Sequence, residues 1–345
     1  MKALVYKGIN HISLEDVPKP VLKHPTDCIV KIVKTTICGT DLHIKRGDVP
    51  SVESGRVLGH EGIGVIEEVG KGVNNFKAGD KVLISCITSC GRCAFCKKQM
   101  YSHCEQGGWL LGNKIDGTQA EYVRIPFADT SLHPTPPGAE EEALVLFSDV
   151  LPTGFETGVL KGKINLGDVV AIIGAGPIGL ATLLTAQFYS PSMLIVIDKE
   201  ESRLEVAKRL GATHTILANE QVVDGIMRLT ERKGVEVAIE AVGLPESFEV
   251  CQSIIAVGGT IANIGVHGRS VSLHLEKLWD QNITLTTNLV DTYSIPLLLK
   301  MFMTGKLKLS GLITHHFMLN EILKAYAIFE KANQERALKV LIENR

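Results

Sequence analysis

The chain has 345 residues, enough for about two domains at roughly 100–200 residues each. Hydrophobic residues make up 45% and charged residues 21%, which excludes a disordered chain. A formal net charge of −2 excludes the broad basic footprint that nucleic acid or an anionic membrane surface demands.

The N-terminal run Met1-Lys2-Ala3-Leu4-Val5-Tyr6-Lys7 lacks the long apolar core of a signal peptide, so a cytoplasmic protein is expected. The first half then reads as short β-like runs between glycine and polar turns, for instance Ile29–Thr35, Gly64–Val69 and Lys81–Ile84. Eight cysteines occur, and four of them, Cys90, Cys93, Cys96 and Cys104, fall within fifteen residues; Cys28, Cys38, Cys86 and Cys251 are scattered. Without a secretory signal, clustered thiols read as metal ligands before disulfides. The spacing Cys90-x2-Cys93-x2-Cys96-x7-Cys104 supplies four soft ligands for a tetrahedral zinc. Such a shell is closed, so its role is structural. An iron–sulfur cluster is the competing reading, and a redox disulfide pair a weaker one.

After about residue 150 the texture changes to strands alternating with helices. Strands are expected at Val169–Ile173, Leu194–Ile197, Val235–Ile239, Thr260–Ile264 and Ile283–Thr287, with helices from Pro177 and over Ser202–Leu210. That alternation predicts a doubly wound parallel sheet with helices on both faces. Val169 to Phe188 carries no charge for twenty residues, close to a membrane span in length. Gly174, Gly176, Pro177 and Gly179 interrupt it, and a buried strand, a turn and an apolar helix explain it better. A helical segment at Asn320–Ala332 falls outside the repeat. It is assigned back to the first domain, giving a discontinuous domain of residues 1–150 and 288–345 around a nucleotide-binding domain of 151–287.

Gly174-Ala175-Gly176-Pro177-Ile178-Gly179 has the G-x-G-x-x-G form, between a strand and a helix. Glycines give the tight turn, let the backbone approach a pyrophosphate, and allow helix to pack on strand; the helix N-terminus holds the phosphates. Asp198 follows nineteen residues past Gly179, at the end of the next strand, where a carboxylate accepts hydrogen bonds from the adenosine ribose. This favours NAD over NADP, although Lys199 and Arg203 stand close enough to meet a phosphate.

Two more segments gain meaning together. Cys38 lies in Ile37-Cys38-Gly39-Thr40-Asp41-Leu42-His43. Gly59-His60-Glu61-x2-Gly64-x5-Gly70-x2-Val73 follows, and then Gly79-Asp80-Lys81-Val82. Taken singly, a lone cysteine is usually core and a lone histidine a satisfied polar group. In this order, with the four-cysteine loop and the glycine motif behind them, they resemble the zinc-dependent alcohol dehydrogenases of the medium-chain dehydrogenase/reductase superfamily. The resemblance covers essentially the whole chain. It implies a mainly β, GroES-like catalytic domain beside a Rossmann nucleotide-binding domain. It also implies a catalytic zinc on Cys38 and His60, with Glu61 near the metal and able to replace its water.

The third ligand of horse-liver-type enzymes is a second cysteine, which Phe147-Ser148-Asp149-Val150-Leu151-Pro152-Thr153-Gly154 does not offer. The segment instead resembles the bacterial secondary alcohol dehydrogenases, which implies Asp149 as ligand. Three protein ligands and an open fourth position suit a catalytic zinc. By the same resemblance Thr40 and His43 relay the alcohol proton outward, and Trp109 lines the substrate pocket. The implied reaction passes hydride between a small aliphatic or aryl alcohol, with its aldehyde or ketone, and NAD.

A polyol or threonine dehydrogenase is the rival within the superfamily, since Ile37-Cys38-Gly39-Thr40-Asp41 resembles that branch too. A zinc-free quinone reductase shares the architecture but needs neither metal motif, and a non-enzymatic NAD-binding protein needs no ligand set and proton relay together. The resemblance also implies that the strand at Ile283–Thr287, last in the sheet, pairs with its copy across a two-fold axis, so a dimer or tetramer is expected; an exposed edge needs covering in any case. No nucleic-acid or membrane partner is expected.

Overall fold

The computed structural model describes residues 1–344. The chain divides into two compact units, Met1–Asp149 with Asp291–Arg345, and Val150–Val290. Fifteen strands run through them. In the first unit lie β1 (Lys2–Gly8), β2 (His11–Asp16), β3 (Cys28–Ile37), β4 (Gly62–Val69), β5 (Lys81–Ile84), β6 (Tyr122–Ile125) and β7 (Leu132–Pro134). The second unit holds β8 (Val169–Ile173), β9 (Met193–Asp198), β10 (His214–Leu217), β11 (Val235–Glu240), β12 (Ile255–Asn263) and β13 (Thr284–Thr287). After the chain returns, β14 (Ile313–Met318) and β15 (Lys339–Glu343) complete the first unit.

The first unit is built on a seven-stranded sheet ordered β14-β15-β3-β4-β5-β7, with β6 also paired to β3. Its central strand β3 is almost wholly buried, as its β-branched run Cys28-Ile29-Val30-Lys31-Ile32-Val33 leads one to expect. One core gathers Val30, Ile32, Ile66, Val82, Ile84 and Val123. Another joins Leu4, Ile37 and Ile44 to Tyr326 and Phe329 of the helix Ile322–Glu330 and to Val340 and Ile342 of β15. Each such aliphatic or aromatic side chain, once fully buried, contributes roughly 1.5–3 kcal/mol relative to exposure.

Register decides where the chemistry falls. Val340 of β15 opposes Ile37 of β3, Thr35 of β3 opposes Gly62 of β4, and Gly62 opposes Ile84 of β5. Cys38 follows β3, Glu61 precedes β4, Lys339 begins β15, and Cys86 stands two residues past β5. One end of one sheet therefore collects side chains from four stretches of sequence.

The second unit is a six-stranded parallel sheet ordered β10-β9-β8-β11-β12-β13, so β8 lies inside and β13 is an edge. Its core joins Ala171, Ile195, Ala238 and Ile261 to Phe248 and Ile254 of the helix Pro245–Ile254 and Ile226 of the helix Val222–Leu229. The uncharged stretch from Val169 resolves into β8 and a helix, Pro177–Ala186, buried from Gly179 to Ala186. A helix apolar all round is accounted for by burial on all sides. Among the described residues no helix is long and apolar enough to cross a membrane.

Several elements differ from the sequence reading. The strand expected at Thr260–Ile264 begins at Ile255, and the helix expected over Asn320–Ala332 breaks at Lys331 into Ile322–Glu330 and Ala332–Glu335. Strands β1, β2, β10, β14 and β15 and the helices Val222–Leu229, Pro245–Ile254 and Ile295–Met303 are additional to the elements named there. Gly154–Leu160 is a π-helix, a form that periodicity at 3.6 residues does not reveal.

Candidate functional site

Cys38 is the N-cap of the helix Gly39–Arg46. Its backbone N–H donates to Asp41 Oδ2 at 2.9 Å, closing the first turn. His60 and Glu61 sit on the loop entering β4, both buried. Asp149 closes the segment pinned to that loop by Ser148, whose Oγ accepts from the Gly62 N–H at 3.0 Å. Ligand atoms of Cys38, His60, Glu61 and Asp149 lie within 4.8 Å of one another. His60 Nε2 is 3.5 Å from Asp149 Oδ2 and 3.8 Å from Glu61 Oε1, and Cys38 Sγ is 3.8 Å from Asp149 Oδ2. All four residues that sequence singled out thus converge.

The electrostatics suit a cation. Burial pulls the His60 imidazole down, yet the Asp149 carboxylate and the Cys38 sulfur more than offset it and hold the ring well above the usual histidine range. A thiol and two carboxylates that favour a proton on His60 favour a shared divalent metal in the same way. His60 Nδ1, turned from the cluster, lies 3.7 Å from Asp41 Oδ1, and both atoms are buried without a hydrogen-bond partner among the described residues. A carboxylate behind a histidine is the arrangement that orients a metal-bound ring. Burial pushes the Asp41 carboxyl up against the pull of His60. Gln119 Nε2 donates to Asp41 Oδ2 at 3.0 Å, and Tyr326 OH donates to Gln119 Oε1 at 2.9 Å, which carries the support back into the core.

Glu61 is held differently from the other three. Lys339 Nζ donates to its Oε1 at 2.6 Å, and Thr36 Oγ1 donates to Oε2. Both members of the Lys339–Glu61 pair are 1% exposed. Burial pulls the Lys339 ammonium down, and Glu61 and Cys38 more than reverse this, so the lysine stays charged. The structure gives Glu61 a buried counter-ion in Lys339, which distinguishes it from Cys38, His60 and Asp149. Sequence reading missed Lys339, although a lone lysine inside Ala337-Leu338-Lys339-Val340-Leu341-Ile342 is a usable signal: a charge in a buried strand requires a partner.

Thr40 Oγ1 is 3.8 Å from Cys38 Sγ, and His43 follows three residues later on the same helix, hence on the same face. His43 is half-exposed, with Nδ1 2.9 Å from Asp48 Oδ2. Its hydrogen bond to Asp48 holds that carboxyl below the usual range. Trp109 packs with its ring centroid 6.3 Å from that of His60 at 72°, and its Nε1 donates to Leu111 O at 3.2 Å.

The four clustered cysteines also meet, with sulfurs within 4.8 Å of one another and no disulfide. Cys90 N–H donates to Cys104 Sγ at 3.2 Å, and Cys96 N–H to Cys93 Sγ at 3.5 Å. Backbone N–H groups of Cys96 and Glu105 draw Cys93 down to about 6, whereas burial and the neighbouring thiols push Cys96 up to about 12. Crowded thiols cannot all ionise without a cation among them. That donor set fits a tetrahedral, closed zinc site. Its loop is tied down by Ser102, whose N–H and hydroxyl both donate to Asp291 Oδ1, at 2.9 and 2.6 Å. A third cluster, Glu142, His316 and Glu343, already has Lys34 Nζ 3.1 Å from Glu343 Oε1, and this ammonium supplies its positive charge.

In the second unit the glycine motif has a shape suited to a dinucleotide. Gly174 adopts φ +107°, and a Cβ on Gly179 would fall 1.8 Å from Gly174 O, so strand and helix meet at van der Waals limits. At Gly176, by contrast, a Cβ would meet nothing within 4 Å, leaving backbone open to a pyrophosphate before Pro177 and Ile178 begin the helix. Asp198 is buried: Oδ2 accepts from Ala175 N–H at 2.7 Å and Oδ1 from Glu200 N–H at 2.9 Å. Arg203 Nη1 stands 4.0 Å from Oδ2, and Lys199 is exposed.

Comparison with known proteins agrees along the length. A family model described as alcohol dehydrogenase GroES-like domain matches residues 24–137, and one described as zinc-binding dehydrogenase matches 177–303. A protein named alcohol dehydrogenase in Cupriavidus necator is 34% identical over 370 aligned positions, covering 99% of this chain and 98% of that relative. The solved structure of a zinc dependent alcohol dehydrogenase 2 from Streptococcus pneumonia, in its apo form, is similar with a TM-score of 0.96 and 56% identity, covering 100% of this chain and 98% of that one. An alcohol dehydrogenase from Thermus sp. ATN1 gives 0.92 at 33% identity, with full coverage of both chains.

Proposed function

The chain belongs to the zinc-dependent alcohol dehydrogenases of the medium-chain dehydrogenase/reductase superfamily, and on that premise we propose an NAD-linked oxidation of small secondary aliphatic or aryl alcohols. The observation that supports this most is the donor set itself: Cys38, His60 and Asp149 face one point while Lys339 engages Glu61. A zinc bound there supplies Lewis acidity, lowering the pKa of an alcohol at neutral pH. Asp41 orients His60 for that duty. Trp109, edge-on to His60, walls the substrate's apolar side. A second zinc in the four-cysteine loop is structural. The screen that tests the substrate reads NADH absorbance with 2-propanol, ethanol, benzyl alcohol, 2,3-butanediol, sorbitol and threonine, metal content being measured in parallel. Turnover confined to sorbitol or threonine overturns the alcohol assignment.

The alcohol proton has to reach water. Thr40 accepts it first and His43 passes it on from the rim of the first unit, its Nδ1 steadied by Asp48. Imidazole suits this task because one ring nitrogen can take a proton while the other releases one. His43→Gln is expected to lower oxidation several-fold at neutral pH and to recover as rising hydroxide takes over the proton. A pH–rate profile that superimposes on wild type removes His43 from the relay.

Asp198 sets the cofactor preference. The 2′-phosphate of NADP would bring like charge against its carboxylate, costing roughly 4 kcal/mol at about 4 Å and an effective dielectric near 20. Half of that, after screening, still favours NAD more than tenfold. Asp198→Gly is expected to reverse the ratio of kcat/KM between the two cofactors, with Lys199 and Arg203 available to the phosphate. Because Asp198 also binds the Ala175 and Glu200 N–H groups, absolute efficiency falls with both. Equal use of NADP and NAD by wild type contradicts this assignment.

The edge strand β13 is the proposed seam between copies, since an unpaired edge is completed by pairing with its own kind.

A further inference from the structure

We propose that Cys86 is a positioning residue, whose thiol fixes Asp149 as a one-oxygen ligand; the inference rests on reading Cys38, His60 and Asp149 as the metal set. The two carboxylate oxygens of Asp149 have different surroundings. Oδ2 faces the cluster, 3.5 Å from His60 Nε2 and 3.8 Å from Cys38 Sγ. Oδ1 accepts from Cys86 Sγ at 3.6 Å. Cys86 is 3% exposed, and its backbone N–H donates to Ser148 O at 3.0 Å, so the thiol and the carboxylate are locked at adjacent residues of one contact.

A carboxylate near a divalent cation binds through one oxygen or two, and the difference adds a ligand. A catalytic zinc needs three protein ligands and an exchangeable position, so an Asp149 that turned both oxygens inward would occupy the place of the substrate. A thiol is a weak donor, yet in a buried site even a weak donor holds one carboxylate oxygen in preference to the other. Cys86 thus acts on the metal only through Asp149. A bland reading also exists, in which Cys86 simply fills space beside the carboxylate. A serine, which keeps a donor in a similar volume, separates the two.

The test uses holoenzyme with cobalt exchanged into the catalytic site and zinc left in the four-cysteine loop. Absorption of the cobalt reports coordination number, and competition with a chelator reports affinity. Cys86→Ala is expected to weaken the cobalt d–d bands, as a fifth ligand does, and to loosen the metal by about tenfold, the lower end of what outer-shell changes produce. Cys86→Ser is expected to keep the wild-type bands and affinity. If the alanine variant does not fold, Cys86→Val takes its place, carrying volume without a donor. Bands of Cys86→Ala or Cys86→Val that superimpose on wild type overturn the proposal, as do equal changes in Ser and Ala. Failure of the underlying metal reading looks different: Cys38→Ser then leaves the same cobalt spectrum as wild type.

Discussion

Cys38→Ser is expected to yield a folded protein that binds NAD, retains the zinc of the four-cysteine loop and oxidises alcohol at least about 10³-fold more slowly. Lewis-acid stabilisation of developing charge is worth several kcal/mol, and each 1.36 kcal/mol is a factor of ten. A serine hydroxyl is a poor replacement because it does not supply the soft sulfur ligand that zinc binds readily. Cys93→Ser has the opposite signature. Cys93 is the most readily ionised of its group, and without it the loop keeps three thiols for a metal that wants four. Zinc leaves that loop, the Ser102–Asp291 tie slackens, and melting is expected to fall by roughly 10 °C. Metal analysis gives about two zincs in wild type and one in each variant. One zinc in fully active, metal-replete wild type sinks the assignment of both sites.

The second large effect is predicted at Lys339. Removing one partner of a buried ion pair costs about 3–5 kcal/mol, because the other charge is left in a medium that cannot solvate it. Lys339 and Glu61 meet at 2.6 Å, and Thr36 supplies a hydrogen bond but no charge. Lys339→Met should therefore lower melting by roughly 10 °C in a unit of this size. It should also free Glu61 to join the metal set, depressing activity in the folded fraction. Adding Glu61→Gln should recover most of the lost stability, since it removes the charge that lost its partner. Calorimetry on the single and double variants reads this directly. Melting of Lys339→Met within about 2 °C of wild type, or no recovery in the double variant, contradicts the pair's role.

The convergence of Cys38, His60, Glu61 and Asp149 was legible only through the order of the motifs and the family they resemble, since each residue alone reads as core or as a satisfied polar group. The glycine loop was legible for a different reason: Gly174 and Gly179 answer to backbone geometry, which no other residue meets. The supporting layer was not. Asp41, Gln119 and Tyr326 come from three distant stretches, and nothing local in Gln119 marks it as the link between a helix and a tyrosine 207 residues on. Lys339 required knowing that β15 pairs with β3, a pairing with no local signal. Strands β1, β2 and β14 alternate or expose polar residues enough to blur their period. The break at Lys331 divides a pattern that reads as one continuous helix.

The pairing of β15 with the central strand β3 also imposes an order of events during synthesis. Lys339 emerges 278 residues after Glu61, and ribosomes add roughly 5–20 residues each second, so for about 15–55 s the buried carboxylate has no counter-ion. In that interval the nascent chain has β3, β4 and β6 but not β15, which pairs with the last residues of β3. The second unit, continuous in sequence and complete by Val290, has every strand of its sheet before then. The second unit is therefore expected to complete its sheet before the first. Chains ending shortly after Val290 and released from the ribosome should form the second unit's sheet, while the first still lacks β14 and β15.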